Sequence, residues 1–184
     1  MPANINLLLT VLVIFILICF TTASSSSAKT LQGKVIKVAD GDTITIIDDK
    51  GFRYRIRLAG IDAPEKDQPY GEQSAKRLRW LVHGKGITVE YSKFDSYGRI
   101  VGKVLTDPPG HMFCLLVDCN RKVDVGLKQI SAGTAWHYKR YQNEQSKEDR
   151  IRYSGTERGA RKGKLGLWND KKPLAPWKWR RNKK

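Results

Sequence analysis

The sequence has few of the residues on which common catalytic and metal sites depend. It contains three cysteines and three histidines in 184 residues, with no CxxC pair and no Cys/His cluster, so a structural zinc site finds no support. The G-x-S-x-G, HExxH and P-loop motifs are also absent, which argues against the enzyme classes that use them. The histidines, His83, His111 and His137, show no pairing that predicts a histidine-centred site. We interpret His137, in "AWHYKRY", as a groove or packing residue.

Acidic residues are scarce as well. The chain has 18 Asp and Glu against 34 Lys and Arg, a formal net charge of +16. Such an excess indicates a polyanionic partner, with nucleic acid first and an anionic membrane surface second. Hydrophobic residues make up 40% and aromatic residues 9% of the chain, which is enough for a buried core.

The first 28 residues contain no charged side chain. Their apolar run, "INLLLTVLVIFILICF" (5–20), is shorter than the roughly 20 residues of a spanning helix but suits an export signal. We predict that residues 1–28 form a signal peptide, cleaved after Ala23 or Ala28. Because "MPANIN" lacks Lys and Arg, an uncleaved N-terminal anchor is the alternative. The protein is expected to be secreted or periplasmic, or else membrane-anchored with its domain outside the cytoplasm.

Cleavage of that segment would leave two cysteines, Cys114 and Cys119. An exported chain meets an oxidising compartment, so a disulfide between them is permitted, although its geometry depends on the intervening turn. The sequence leaves this pairing open. Both cysteines lie in the segment 106–122, "TDPPGHMFCLLVDCNRK", to which the sequence assigns no function.

Five segments have the pattern of short strands. "KVIKVA" (34–39) and "TITII" (43–47) flank "DGD", a turn sequence suited to a hairpin. "FRYRIRLAG" (52–60) alternates between an apolar and a basic face. The two faces are Phe52, Tyr54, Ile56 and Leu58 on one side, and Arg53, Arg55 and Arg57 on the other. "GITVEYS" and "RIVGKVLT" supply the fourth and fifth strands.

Helices are predicted between and after these strands. "GEQSAKRLRWLVHGKG" has helical spacing and a glycine stop at Gly84, and "VDVGLKQISAG" predicts a short helix ended by Gly133. A polar helix is predicted over 143–162, with Gly155 and Gly159 weakening its continuity. The predicted fold class is α+β, mainly β: a five-stranded Greek-key OB barrel with about three flanking α-helices, over residues 29–168.

The last segment, residues 169–184, is a basic tail that contains two tryptophans. It carries seven Lys and Arg against one acid, and Trp177 and Trp179 alternate with Lys178 and Arg180. Such a tail could bind nucleic acid through charge and stacking. We favour the simpler interpretation that the tryptophans hold the C-terminus against the barrel, since two exposed tryptophans are unfavourable in an exported protein.

Four acids occupy two short stretches that adjacent strands could bring together. Asp40 and Asp42 lie in the first hairpin turn, and Asp62 and Glu65 in "RLAGIDAPE" just beyond the third strand. Converging carboxylate oxygens are the ligands that a hard cation such as Ca²⁺ prefers. Ordinary turn formation is the competing explanation, because acids are common both in hairpin turns such as "DGD" and in turns that begin just before a proline. The arginines of the neighbouring strand favour the functional interpretation, since they would add a phosphate clamp.

Successive blocks of the chain resemble those of the staphylococcal nuclease family. They are "VADGDTITI", "RIRLAGIDAPE", "FDSYGRIVGKV", "GTAWHYKRY" and "GARKGKLGLW", in the family's order, from about residue 33 to 168. The resemblance implies an OB barrel and an endonuclease that uses one Ca²⁺ ion to hydrolyse DNA and RNA, leaving 3′-phosphate ends. No protein partner is implied, and a monomer is expected.

The resemblance also assigns roles to individual residues. Asp42 and Asp62 match the carboxylate ligands of the metal, and Ala63 would contribute its main-chain carbonyl. Glu65 matches the glutamate that handles the attacking water. The remaining matches are Arg57 and Arg99 for the two phosphate-binding arginines and Tyr97 for a tyrosine along the bound nucleotide.

Three departures from the family pattern are visible. The loop after Glu65 is short, Ser96 stands where the family has a lysine, and the segment 106–122 lengthens the connection after "GKVL". A catalytically inactive OB module that binds nucleic acid is the alternative function, but the matched acids and arginines are all present, which argues against it.

Overall fold

The computed structural model of the protein describes residues 29–108 and 122–183. The predicted signal peptide or anchor and both Cys114 and Cys119 lie outside these residues. Within the two described ranges, no helix combines the length and apolar character that crossing a membrane requires.

The strands form a closed barrel with small additions. In chain order they are β1 Lys29–Val38, β2 Thr43–Ile47, β3 Arg53–Leu58, β4 Ile61–Asp62, β5 Gly86–Phe94, β6 Ile100–Thr106, β7 Val123–Asp124 and β8 Trp136–His137. β1, β2 and β3 form an antiparallel meander, and β5 pairs with β1 and β6. A parallel pairing of β3 with β6 closes the barrel, which confirms the predicted five-stranded OB architecture.

β1 begins five residues before the predicted strand because it serves two partners. Its first half, from Lys29 to Lys34, pairs with β5, and its second half pairs with β2. Gly33 lies at the changeover, where a Cβ atom would stand 2.7 Å from the carbonyl oxygen of Ile47. The polar residues of this first half show no apolar alternation, so the sequence pattern gave no sign of the extension.

The barrel interior is filled by aliphatic side chains from all five long strands. Fully buried members are Val35, Ile44, Ile46, Ile56, Leu58, Val89, Ile100 and Val104. The prediction that Phe52 shares this face is wrong, because its side chain is 61% exposed. β3 starts only at Arg53, and Phe52 instead closes the β2–β3 turn by donating its N–H to Asp48 Oδ1 at 2.8 Å.

Four α-helices lie outside the barrel in the described part of the chain. They are α1 Gly71–Val82, α2 Val125–Ser131, α3 Lys147–Lys162 and α4 Pro176–Asn182. Gly84 and Gly133 follow α1 and α2 with positive φ angles of 75° and 66°, as the sequence predicted. The weakness predicted at Gly155 and Gly159 is absent, because α3 continues through both.

Burial explains why α3 tolerates its glycines. Its Tyr153 is 2% exposed, and the phenol donates a hydrogen bond to Asp124 Oδ1 at 3.0 Å. Asp124 in turn caps α2 by accepting the N–H of Leu127. His137 packs beside α3 with its ring nitrogens bonded to Gln145 and Ser154, which agrees with its interpretation as a packing residue. Tertiary packing therefore outweighs the low helix propensity of glycine.

The C-terminal helix α4 is held against the barrel by aromatic contacts. Trp177 stacks on Tyr138, with ring centroids 5.5 Å apart and planes at 20°, and meets Trp136 edge-on. Gln68 donates a hydrogen bond to the carbonyl of Leu174 at 2.6 Å, which ties the connection before α4 to the loop after β4. The interpretation that the tail tryptophans fix the C-terminus holds for Trp177.

Candidate active site

A groove of about 600 Å³ opens on one side of the barrel. It is bounded by the β1–β2 turn, the residues after β3, the β5–β6 turn, the helical segment Lys139–Glu144 and α4. Among its lining residues are Asp40, Asp42, Arg57, Asp62, Ala63, Glu65, Ser96, Tyr97, Arg99, Tyr138 and Arg180. All seven predicted site residues line this groove, the acidic groove: Asp42, Arg57, Asp62, Ala63, Glu65, Tyr97 and Arg99.

The β1–β2 turn that carries Asp42 is clamped from behind. The N–H of Asp42 donates to Asp40 Oδ1 at 2.9 Å, and Gln129 of α2 donates to the carbonyl of Gly41 at 2.9 Å. Only glycine fits at position 41, because a Cβ atom there would stand 2.0 Å from Ser74 Oγ of α1. Helix packing thus fixes the direction in which Asp42 points.

Asp42 and Asp62 face each other across one guanidinium. Arg57 Nη1 lies 3.1 Å from Asp42 Oδ2, and its Nη2 lies 2.8 Å from Asp62 Oδ1. Asp42 Oδ2 also accepts the N–H of Ala63 at 2.8 Å, so the peptide after Asp62 joins the same cluster. The structure therefore brings the three predicted metal-binding residues together.

Arg57 differs from the other two arginines of β3, although the alternating pattern predicted all three on one solvent-exposed face. Arg53 and Arg55 are exposed, whereas Arg57 is half-buried. Its guanidinium turns back to donate to the carbonyls of Leu58 and Ile61, both at 2.9 Å. Those bonds hold Arg57 over the acids and leave it at the base of the groove.

Burial makes two acids of the groove, Asp40 and Asp62, costly to ionise. Asp62 is fully buried, and burial raises its pKa to about 6 against the opposing effects of its hydrogen bond with Arg180 and the charge of Arg57. Burial and repulsion from Asp42 likewise raise the pKa of Asp40 to about 6. Carboxylates in this condition are stabilised by additional positive charge, which an arriving cation would supply.

The donor set suits a hard divalent cation. Two carboxylates and a main-chain carbonyl are all oxygen ligands, the type that Ca²⁺ and Mg²⁺ prefer, and water or substrate oxygens complete such sites. Across residues 29–108 and 122–183, no group of three or more His, Cys, Asp or Glu side chains forms a ready-made metal cage.

Glu65 lies at the mouth of the groove rather than among the buried acids. Its side chain is 36% exposed, and its backbone N–H donates to Gln68 Oε1 at 3.1 Å. The carbonyl of Glu65 accepts the N–H of Gln68, so a tight turn after Pro64 sets its position. The Glu65 carboxylate therefore lines the same groove as Asp62 and is accessible to solvent.

The opposite wall of the groove is the β5–β6 turn, which carries Tyr97 and Arg99. The N–H groups of both residues donate to Asp95 Oδ1, and Arg99 Nε donates to Asp95 Oδ2 at 2.7 Å. Arg99 Nη1 reaches Thr43 Oγ1 at 3.4 Å, which points its fork towards the acids. Tyr97 is 78% exposed, with the Arg99 guanidinium 5.4 Å from its ring centroid.

One functional group of the groove was missed by sequence reasoning. Arg180 of α4 lies with its Nη2 2.9 Å from Asp62 Oδ2 and its Nη1 2.5 Å from Glu65 Oε1. The two partners are 118 and 115 positions away in the chain. The alternation of tryptophans and basic residues in "PWKWRRN" marked the segment as unusual but gave no means of placing it.

The rim of this closed barrel combines buried carboxylates, a half-exposed glutamate and several guanidiniums. Such a combination is typical of proteins that act on phosphate esters with the help of a cation. The comparison with known families is specific. The family model described as "Staphylococcal nuclease homologue" matches residues 55–170, and the chain belongs to this family.

Individual relatives agree with that assignment. An "Uncharacterized endonuclease" of Escherichia coli is 39% identical over 153 residues, which cover 83% of this chain and 87% of the relative. An "Uncharacterized endonuclease" of Haemophilus influenzae is 33% identical over 174 residues, covering 95% and 86%. A "Micrococcal nuclease" of Shigella flexneri is 34% identical over 156 residues, covering 83% and 82%. The family predicted from the sequence is thereby confirmed.

Proposed function

We propose that the protein is a calcium-dependent endonuclease that hydrolyses phosphodiester bonds of DNA and RNA and leaves 3′-phosphate ends. The observation that carries this proposal is the convergence of Asp42 and Asp62 on Arg57, at 3.1 and 2.8 Å, in the groove that Glu65 also lines. Family membership and the names of the relatives support a nuclease. Hydrolysis, calcium and the 3′ ends rest on the matched residues.

Each residue has a role that its chemistry explains. Asp42, Asp62 and the carbonyl of Ala63 would hold the Ca²⁺ ion, which when bound supplies positive charge to the phosphoryl group. Glu65 accepts a proton from the attacking water, for which its half-exposed position is suited.

Arg57 and Arg99 bind the phosphoryl oxygens from two sides of the groove. Arginine suits this task because its planar fork can meet two oxygens and stays charged. Negative charge grows on those oxygens as water adds, so the two guanidiniums stabilise the transition state more than the substrate. Both arginines are paired with acids, Arg57 with Asp42 and Asp62 and Arg99 with Asp95, and these pairs keep them in place.

The substrate would be recognised mainly through its backbone. The groove presents guanidiniums and the exposed ring of Tyr97, which can lie along a nucleotide without selecting a base. The net charge of +16 strengthens attraction to any polyanionic strand. This explains why both DNA and RNA are proposed as substrates.

Activity should depend on calcium. Purified protein is incubated with single-stranded DNA, duplex DNA and RNA in CaCl₂, in EGTA, and in EGTA followed by excess CaCl₂. We expect cleavage with calcium, its loss with the chelator and its return on calcium addition, because the acids of the groove need a cation to accept an anionic substrate. End-group analysis of the products should find 3′-phosphates. Cleavage that persists in EGTA contradicts calcium dependence. Binding of nucleic acid without cleavage would instead support the alternative function, a catalytically inactive OB module that binds nucleic acid.

We propose further that the protein acts outside the cytoplasm. The support is the apolar run at 5–20 followed by small residues. Fractionation followed by N-terminal sequencing should find a mature chain that begins between residues 24 and 29 in the periplasm or medium. A chain that begins at Met1 and sediments with membranes indicates the uncleaved anchor instead.

A further inference from the structure

The C-terminal helix places a third guanidinium in the acidic groove. Arg180 contacts both oxygens of Asp62, at 2.9 and 3.3 Å, and one oxygen of Glu65 at 2.5 Å. Its side chain is 42% exposed, whereas that of Asp62 is fully buried. Arg180 thus bridges the residue expected to hold the metal and the residue expected to handle the water.

This placement does not depend on the ion pairs alone. Trp177, three residues earlier, stacks on Tyr138 and meets Trp136 edge-on, and Lys183 pairs with Asp67 beyond it. One turn of α4 separates Trp177 from Arg180, so the aromatic contacts fix the backbone from which the guanidinium extends. The family model ends at residue 170, so α4 lies beyond the part of the chain that it describes.

We propose that Arg180 is a residue of the active site that exchanges partners: it pairs with Asp62 and Glu65 as the structure shows, and it would bind a phosphate of the substrate when Asp62 holds a cation. This inference rests on the proposed function.

Electrostatics explains the exchange. A guanidinium and a divalent cation on the same carboxylate repel each other at a separation of a few ångströms, so an ion arriving at Asp62 weakens the hold of Arg180. The groove is open to solvent at Glu65, and the long stem of Arg180 can turn there without moving α4. A phosphate is then the best available anion, because its oxygens match the guanidinium fork.

The exchange would also release Glu65. Its Oε1 accepts a hydrogen bond from Arg180, and a carboxylate oxygen held in a charge-assisted hydrogen bond is a poor acceptor for a proton from water. Transfer of Arg180 to the phosphate frees that oxygen only when substrate is present. Arg180 is therefore a phosphate-binding residue that also controls when Asp62 can hold the cation and when Glu65 can accept a proton.

The test uses Arg180→Gln, which keeps a polar side chain but removes the charge. The control is Arg181→Gln, because Arg181 is exposed on the same helix and has no ion pair among the described residues. Both variants lower the net charge equally. Trp177 makes its contacts without Arg180, so tryptophan fluorescence reports whether α4 stays docked in each variant.

The first measurement is calcium affinity by titration calorimetry with CaCl₂ and no nucleotide. Arg180→Gln should bind Ca²⁺ about 2- to 10-fold more tightly than wild type, because one of the two guanidiniums that pair with Asp62 is gone while Arg57 remains. Arg181→Gln should match wild type. Equal affinities in all three proteins would overturn the pairing of Arg180 with the metal-binding acids.

The second measurement is binding of deoxyadenosine 3′,5′-bisphosphate in saturating CaCl₂. Arg180→Gln should bind it about 10- to 100-fold more weakly than Arg181→Gln does, because a charge-assisted hydrogen bond to phosphate is lost. Tighter calcium binding with unchanged nucleotide binding would overturn the exchange. Wild-type protein that binds neither ligand overturns the proposed function together with this inference, whereas wild-type cleavage with identical behaviour of the two variants overturns the inference alone.

Discussion

Glu65→Gln is expected to lower the rate of phosphodiester cleavage by about 10²- to 10⁴-fold, the loss typical of a missing general base. Glutamine has nearly the same shape as glutamate, and the backbone bonds of Glu65 with Gln68 do not involve its side chain. The fold should therefore be retained. Single-turnover cleavage of a DNA substrate in saturating calcium measures the effect on chemistry without interference from product release.

The same variant should keep its calcium affinity, because Glu65 is not among the residues that converge on Asp42. Glu72→Gln is the matched control, since Glu72 lies exposed in the first turn of α1. It should cleave at the wild-type rate. A Glu65→Gln protein with near wild-type turnover would show that "DAPE" is an ordinary turn and that another group handles the water.

The fold could be predicted from the sequence wherever burial imposes a simple period. β2, β3 and β6 are short, half-buried strands, and their alternation gave their positions to within a residue or two. The first half of β1 was missed because its pairing with β5 uses backbone groups and needs no apolar pattern. The continuity of α3 was underestimated because Tyr153 and Glu157 are buried by distant residues, which local propensity does not report.

The candidate site could be predicted only where its residues are close in the chain or follow the family pattern. Asp62, Ala63 and Glu65 lie within four consecutive residues, and the resemblance linked them to Asp42. Alternation placed Arg57 with two exposed arginines, and its special position depends on carbonyls that only the folded turn provides. Arg180 could not be placed at all, because its partners are more than a hundred positions away.

The roles proposed for Asp42 as a metal ligand and for Glu65 as a base predict different responses to calcium, and this difference gives the second large expected effect. Asp42 accepts the N–H of Ala63 and pairs with Arg57 through the same oxygen, Oδ2. In Asp42→Asn an amide oxygen can still accept that N–H, so the turn and the fold should survive. The negative charge is lost, however, and with it one of the two carboxylates proposed as ligands of the cation.

Asp42→Asn should therefore weaken calcium binding by at least about 10- to 100-fold. Substitution of residues that only hydrogen-bond to a metal ligand already causes a loss of this size. Activity at low calcium should fall by a similar factor and recover in part as calcium is raised, whereas Glu65→Gln should not recover at any concentration. Asp49→Asn, in the exposed turn after β2, is the control with the same chemical change and should show the wild-type calcium curve.

Titration of cleavage rate against calcium for the three variants separates the roles. If added calcium restores neither Asp42→Asn nor Glu65→Gln, Asp42 acts by holding Arg57 and the peptide of Ala63 in place, and the cation must be bound elsewhere in the groove.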